Sequence, residues 1–122
     1  MSVPIISRRM TSLGVTEYYE KHLHIINQFL PVQLTKTEIK VLAGFMSLKG
    51  DLVEKDRFGT QARKDIMETL NMSTGGLGNH LKSLKDNGFI YVDSNKKLQI
   101  NEHLIPDDSI QGYQFKIEKA DE

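Results

Sequence analysis

Residues 60–101 constrain the fold more tightly than any other stretch of this chain. They run TQARKDIMETL, then NMS, then TGGLGNHLKSLKDNGFI, then YVDSNKKLQIN. In the first segment Ala62, Ile66 and Leu70 recur every four residues with Met67 beside them, which makes one helical face apolar. In the second, Leu77, Leu81 and Leu84 form a single stripe at i, i+4 and i+7. Ser73 stands at the corner as an N-cap, its hydroxyl placed to accept from an amide of the first turn. Asn87-Gly88 closes the second helix, with Gly88 free to adopt the left-handed conformation at C′. Phe89–Asp93 and Lys97–Asn101 then read as two strands around the polar turn Ser94-Asn95-Lys96. Two helices, a three-residue corner and an immediate hairpin leave few ways to bury three apolar faces.

The preceding residues supply a third helix. Thr35 and Glu38 have the spacing of a capping box, and Leu34 and Ile39 that of a hydrophobic staple. From there Ile39, Leu42, Phe45, Met46 and Leu48 keep helical spacing until Gly50. Residues 16–30 place Tyr19, Leu23, Ile26 and Leu30 on one stripe, with Tyr18, Ile25 and Phe29 flanking and Thr16 as a cap. The alternation in HLHI offers a strand as the competing reading, and the helix is preferred. His22 and His24 lack a third ligand nearby, so they read as surface histidines and no metal site is expected. Residues 1–15 show no period and read as a flexible arm, whose Arg8-Arg9 could reach a minor groove or simply be solvated. Between the capped helix and residue 60, Leu52 and Val53 suggest a short strand edge, and Lys55 and Arg57 could reach phosphate. Tyr113, Phe115 and Ile117 alternate with polar residues as a C-terminal strand would.

A chain of 122 residues makes one domain with a modest core. It has no cysteine, which removes disulfides and thiolate metal sites. No apolar run approaches the roughly 18 residues needed to span a bilayer, and MSVPIISRRM has the wrong order for a secretory signal, so cytoplasmic residence and no membrane partner are expected. Net charge is zero, but it is unevenly spread. Residues 1–54 carry six basic and five acidic side chains, residues 55–97 eight and five, and residues 98–122 two and six. The positive excess therefore coincides with the two helices and the hairpin, as it would if that part faced phosphate.

LTKTEIKVLAGF, TQARKDIMETLNMSTGGLGNHLKSLKDNGFI and KKLQIN together resemble winged-helix transcription regulators. They look closest to small phage and plasmid proteins of that type, including replication initiators, over residues 34–101. The resemblance implies an α+β, mostly helical winged helix-turn-helix. Its parts would be a trihelical core plus a β-hairpin wing, with an extra N-terminal helix and a C-terminal strand. The domain would cover residues 16–119, leaving 120–122 as an acidic tail. Its implied function is double-stranded DNA binding in transcription regulation or replication initiation. A homodimer is expected, with the wide apolar face of residues 16–30 as the candidate contact.

In such proteins the outward face of the second corner helix lies in the major groove. With the leucines turned inward, that face carries Thr74, Gly75, Gly78, Asn79, Lys82 and Lys85. Asn79 suits paired hydrogen bonds to adenine, while Lys82 and Lys85 suit phosphate. Lys96 and Lys97 at the wing tip, and Arg63 and Lys64 early in the first corner helix, are further phosphate candidates. Two features pull the other way. Gly75, Gly76 and Gly78 each cost about 1 kcal/mol of helix propensity against alanine. No arginine occurs after Arg63, although arginine to guanine is the commonest specific base contact. These features keep open a second reading, a winged helix that binds protein, for example RNA polymerase or another host factor. An enzyme is not expected. The histidines are dispersed, GGLG lies within a helix instead of following a strand, and no cofactor motif occurs.

Overall fold

One helix is apolar almost all the way round, and the other elements pack on it. In the computed structural model, residues 14–50, 55–106 and 118–120 are described. Among them are four α-helices: α1 (Val15–Asn27), α2 (Lys36–Ser47), α3 (Thr60–Leu70) and α4 (Thr74–Asp86). Strands β1 (Ile90–Val92) and β2 (Leu98–Ile100) form a two-stranded antiparallel sheet, followed by a 3-10 turn at Glu102–Leu104. The fold is α+β and mostly helical.

Helix α2 buries Ile39, Val41, Leu42, Ala43, Gly44, Phe45 and Met46, as a core helix must, and α1, α3 and α4 all pack against it. Its start is the expected capping box. Thr35 Oγ1 accepts from the Glu38 amide at 3.1 Å, and Glu38 Oε1 accepts from the Thr35 amide at 2.8 Å. Leu34 and Ile39, the staple pair, are both buried. The helix ends at Ser47, before the expected stop at Gly50, and its last carbonyls are taken up by a side chain from the next loop. Arg57 Nη1 donates to Phe45 O at 2.8 Å and to Leu48 O at 3.1 Å. A cation at a helix C-terminus also meets the negative end of the helix dipole. Arg57 is therefore a structural cap, and the expectation that it reaches phosphate is set aside. The ring of the adjoining Phe58 lies 4.5 Å from that of Phe45.

Helix α1 forms as preferred over the strand reading, with Leu23 buried and Tyr19, Ile26 and Leu30 packed against the core. Its cap is Gly14, without a side-chain bond, instead of Thr16, whose hydroxyl donates to Ser47 Oγ at 3.1 Å. The reading of His22 as a surface residue was wrong. It is buried, and its Nε2 donates to the Leu104 carbonyl at 2.9 Å, pinning α1 to the 3-10 turn. His24 is exposed, so the two rings do not share a side. Asn27 holds the α1–α2 loop by bonding both the amide and the carbonyl of Leu34.

Both corner helices end in the same local device. At the end of α3, Asn71 is left-handed (φ 51°), Met72 N donates to Met67 O and Asn71 N to Glu68 O. At the end of α4, Gly88 (φ 80°) takes that role, with Phe89 N to Leu84 O and Gly88 N to Lys85 O. Each is a Schellman motif, and each brings its flanking apolar pair together, Met67 with Met72 and Leu84 with Phe89. The strands are shorter than the sequence suggested, pairing Ile90 with Ile100, Tyr91 with Gln99 and Val92 with Leu98. The arm with Arg8 and Arg9, the suggested strand edge at Leu52-Val53 and the expected strand at Tyr113–Ile117 lie outside the described residues. No helix among the described residues is long and apolar enough to cross a membrane.

At Gly44 α2 comes close to α3. A Cβ there would stand 2.8 Å from Ile66 Cδ1, inside contact distance, and Ile66 is itself buried. Gly44→Ala should therefore destabilise the fold by about 1–3 kcal/mol despite alanine's better helix propensity. Combining it with Ile66→Val, which deletes the clashing methyl, should cost less than the two single changes added together. Chemical denaturation of the four proteins measures that coupling.

Candidate nucleic-acid interface

Helix α4 is set on the domain by its ends and by three leucines. Ser73 caps it as expected, Oγ accepting from the Gly76 amide at 3.0 Å. Leu77, Leu81 and Leu84 are buried against α2, α3 and β1. That orientation leaves Thr74, Gly75, Gly78, Asn79, Lys82 and Lys85 exposed. The face holds two lysines and one carboxamide, and the one carboxylate within α4 itself is Asp86 at its C-terminal edge. The open N-terminal turn adds amides and the positive end of the helix dipole.

The hairpin follows α4 without a linker, and one carboxylate shapes its tip. Asp93 Oδ1 accepts from the Asn95 amide at 2.8 Å and the Lys97 amide at 3.0 Å, while Oδ2 accepts from Gln99 Nε2 at 3.0 Å. Lys96 N donates to Asp93 O, and Lys96 itself is left-handed at φ 62°. This is a three-residue loop closed by a left-handed residue, a position where glycine would cost less. The Lys97 amide first, and then Gln99, hold the Asp93 carboxyl below the usual carboxylate range. Sequence reading missed this residue, although Asp-Ser-Asn with its Asx-turn composition carried the signal.

The candidate residues divide by how far the fold already uses them. Lys64, Lys82, Lys85 and Lys96 are exposed. Arg63 is exposed as well, but its Nε donates to Phe58 O at 2.7 Å, which fixes the guanidinium to the start of α3. Lys97 donates from Nζ to Lys55 O at 2.9 Å and so ties the hairpin to the loop before α3. Arg63 and Lys64 stand near the start of α3, about 10 Å of helix rise from the corner. The candidates on α4 thus share one exposed helix face, whereas Lys97 at the hairpin tip and Arg63 on α3 are both tied to the loop before α3.

The glycines of α4 differ from one another. A Cβ at Gly75 or Gly78 would meet nothing within 4 Å, whereas one at Gly76 would press on the capping Ser73 Oγ at 3.1 Å. Packing within the chain accounts for Gly76 alone. Among the described residues no group of three His, Cys, Asp or Glu side chains is arranged to hold a metal. A cavity of about 120 Å³ lined by Tyr19, Met46, Arg57, Ile100 and Ile105 is well below the roughly 300 Å³ at which small-molecule pockets begin. Comparison with protein-family models, with curated proteins and with solved structures finds no match.

Because Gly75 and Gly78 are open, Gly75→Ala and Gly78→Ala should each stabilise the protein by about 0.5–1 kcal/mol, read as a rise in Tm. The hairpin tip should respond to acid. A carboxyl whose folded pKa is depressed contributes stability above its unfolded pKa of about 3.9 and loses it as pH falls through the lower folded value. The Asn95 and Lys97 amide resonances should therefore shift only below about pH 4, and Asp93→Ala should shift them at neutral pH.

Proposed function

We propose that this protein binds double-stranded DNA as a winged helix-turn-helix, with α3 and α4 as the helix pair and the β1–β2 hairpin as the wing. The role would lie in transcription regulation or replication initiation. The observation that carries the reading is the face of α4. A helix seated by buried leucines turns a carboxamide, two lysines and two unencumbered glycines outward, and the segment that follows it in the chain is a hairpin tipped by an exposed lysine. A major groove admits one α-helix, and bare glycine surface lets the backbone come close to sugar and phosphate. Asn79 is assigned to base contact, Thr74, Lys82 and Lys85 to phosphate at the groove edge, and Lys96 to the backbone beside the wing. Arg63, Lys64 and Lys97 take supporting roles at most, the first and last because the fold already engages them.

A second reading, protein binding, draws on a different observation. Tyr91 and Val92 on β1 are 43% and 46% exposed, more apolar surface than a short strand needs to show.

Fluorescence anisotropy with a mixed pool of labelled duplexes at about 50 mM and about 200 mM salt separates the two, since each phosphate contact adds to the salt slope. Binding that weakens steeply with salt is the expected result, and no binding at the lower salt would sink the DNA reading. On a site selected from the pool, Asn79→Ala should cost about 1–3 kcal/mol and relax preference at one position. Lys82→Ala should weaken all duplexes alike and lower the salt slope by about one. Gly78→Ala, stabilising for the fold, should weaken binding if the backbone approaches the groove there.

A further inference from the structure

Glu38 is 4% exposed, which its capping role does not require. A capping glutamate works equally well at the surface, and burying a carboxylate costs free energy unless its oxygens are satisfied. Here Oε1 serves the cap, accepting from Thr35 N, while Oε2 reaches across to α4 and accepts from Ser83 Oγ at 3.1 Å. This side-chain to side-chain hydrogen bond joins α4 directly to the first turn of α2. Ser83 is half-buried and lies four residues after Asn79, in line with it on the helix surface. It occupies the flank between the leucine stripe and the exposed face.

Leucine packing is non-directional and fixes the distance of α4 from α2 better than its roll about its own axis. The roll matters for presentation. A 20° rotation moves an atom at the outer radius of a helix by about 2 Å, on the radius expected from the helix diameter. Hydrogen-bond distances tolerate only about 0.5 Å. A hydroxyl–carboxylate bond on the flank is directional and limits that freedom. We propose that Glu38 is a positioning residue for α4, using one carboxylate to cap α2 and to set the roll of α4 through Ser83. The exposed face, Asn79 foremost, is thereby held in register with the hairpin. Retaining a buried charge for conformational specificity at a cost in stability fits this arrangement.

The test cuts the tether without touching the cap, in the full chain. Ser83→Ala removes the hydroxyl, and Ser83→Thr restores it. Residual dipolar couplings of the α4 amides, measured against those of α2 in the free protein, read the roll directly. Ser83→Ala should change the α4 set and leave the α2 set unchanged, and Ser83→Thr should match the wild type. Unchanged α4 couplings in Ser83→Ala would overturn the proposal. The second readout rests on the DNA reading. With a site selected from the duplex pool, the ratio of specific to non-specific affinity should fall about tenfold in Ser83→Ala, within the range that one base contact is worth. The salt slope should stay put, and Ser83→Thr should recover the ratio. A ratio that did not move while the couplings did would overturn the assignment of Glu38 to presentation. If the wild-type protein bound no duplex and the couplings still changed, the DNA reading would fall and the positioning role would stand.

Discussion

Helix α2 is buried on every side from Val41 to Met46, and much of this structure follows from how its two ends are capped. Its N-terminal amides are served by Thr35, and its C-terminal carbonyls by Arg57 from the following loop. Each cap commits a residue that would otherwise look available for other work. Arg57 is fixed by two carbonyls, and Glu38 is drawn inside, where its second oxygen needs a donor and finds Ser83. Burial of the polar residues His22 and Glu38 is matched by hydrogen bonds in both cases, and no buried side-chain nitrogen or oxygen among the described residues is left without a partner. These polar bonds act between elements. His22 joins α1 to the 3-10 turn, and Glu38 joins α2 to α4.

What the sequence made legible was local. The capping box at Thr35 and Glu38, the N-cap at Ser73, the glycine stop at Gly88 and the leucine stripe of α4 each depend on spacings of a few residues. All four are found as expected. The readings of His22 and Arg57 failed because their partners belong to other elements. His22 looked like a surface residue because its acceptor, Leu104, is 82 positions away. Arg57 looked free because the carbonyls it caps belong to a different helix. Ser83 carried no signal at all, since its acceptor lies 45 positions earlier. The α+β class and the order of helices and hairpin were readable for the same reason that these bonds were not.

The exposed face of α4 was also legible, because it is the complement of the leucine stripe. Its composition is unusual for a helix surface. Lysine and asparagine are ordinary there, but two glycines with open space beside them lower helix propensity without any contact in the chain to account for them. Lys96 shows the same pattern at the hairpin tip, a left-handed position filled by a cationic residue where glycine would be easier. At both places the chain departs from the residue that folding alone would favour, and both places are on the same continuous segment. That is where a functional demand is expected to override local preference.

The paired Schellman stops bear on how the molecule assembles. Each closes its helix with bonds reaching no further than five residues back, so the segment from α3 through the hairpin turns its own corners without help from the rest of the chain. Contacts this short close small loops at low entropic cost, and a unit rich in them has the low contact order of fast assembly. The docking of α1 through His22 closes a far longer loop. On this ordering the corners of the α3-to-hairpin segment can form early, as can the packing of α1 on its neighbour α2, and the His22 bond to the 3-10 turn belongs to the late contacts.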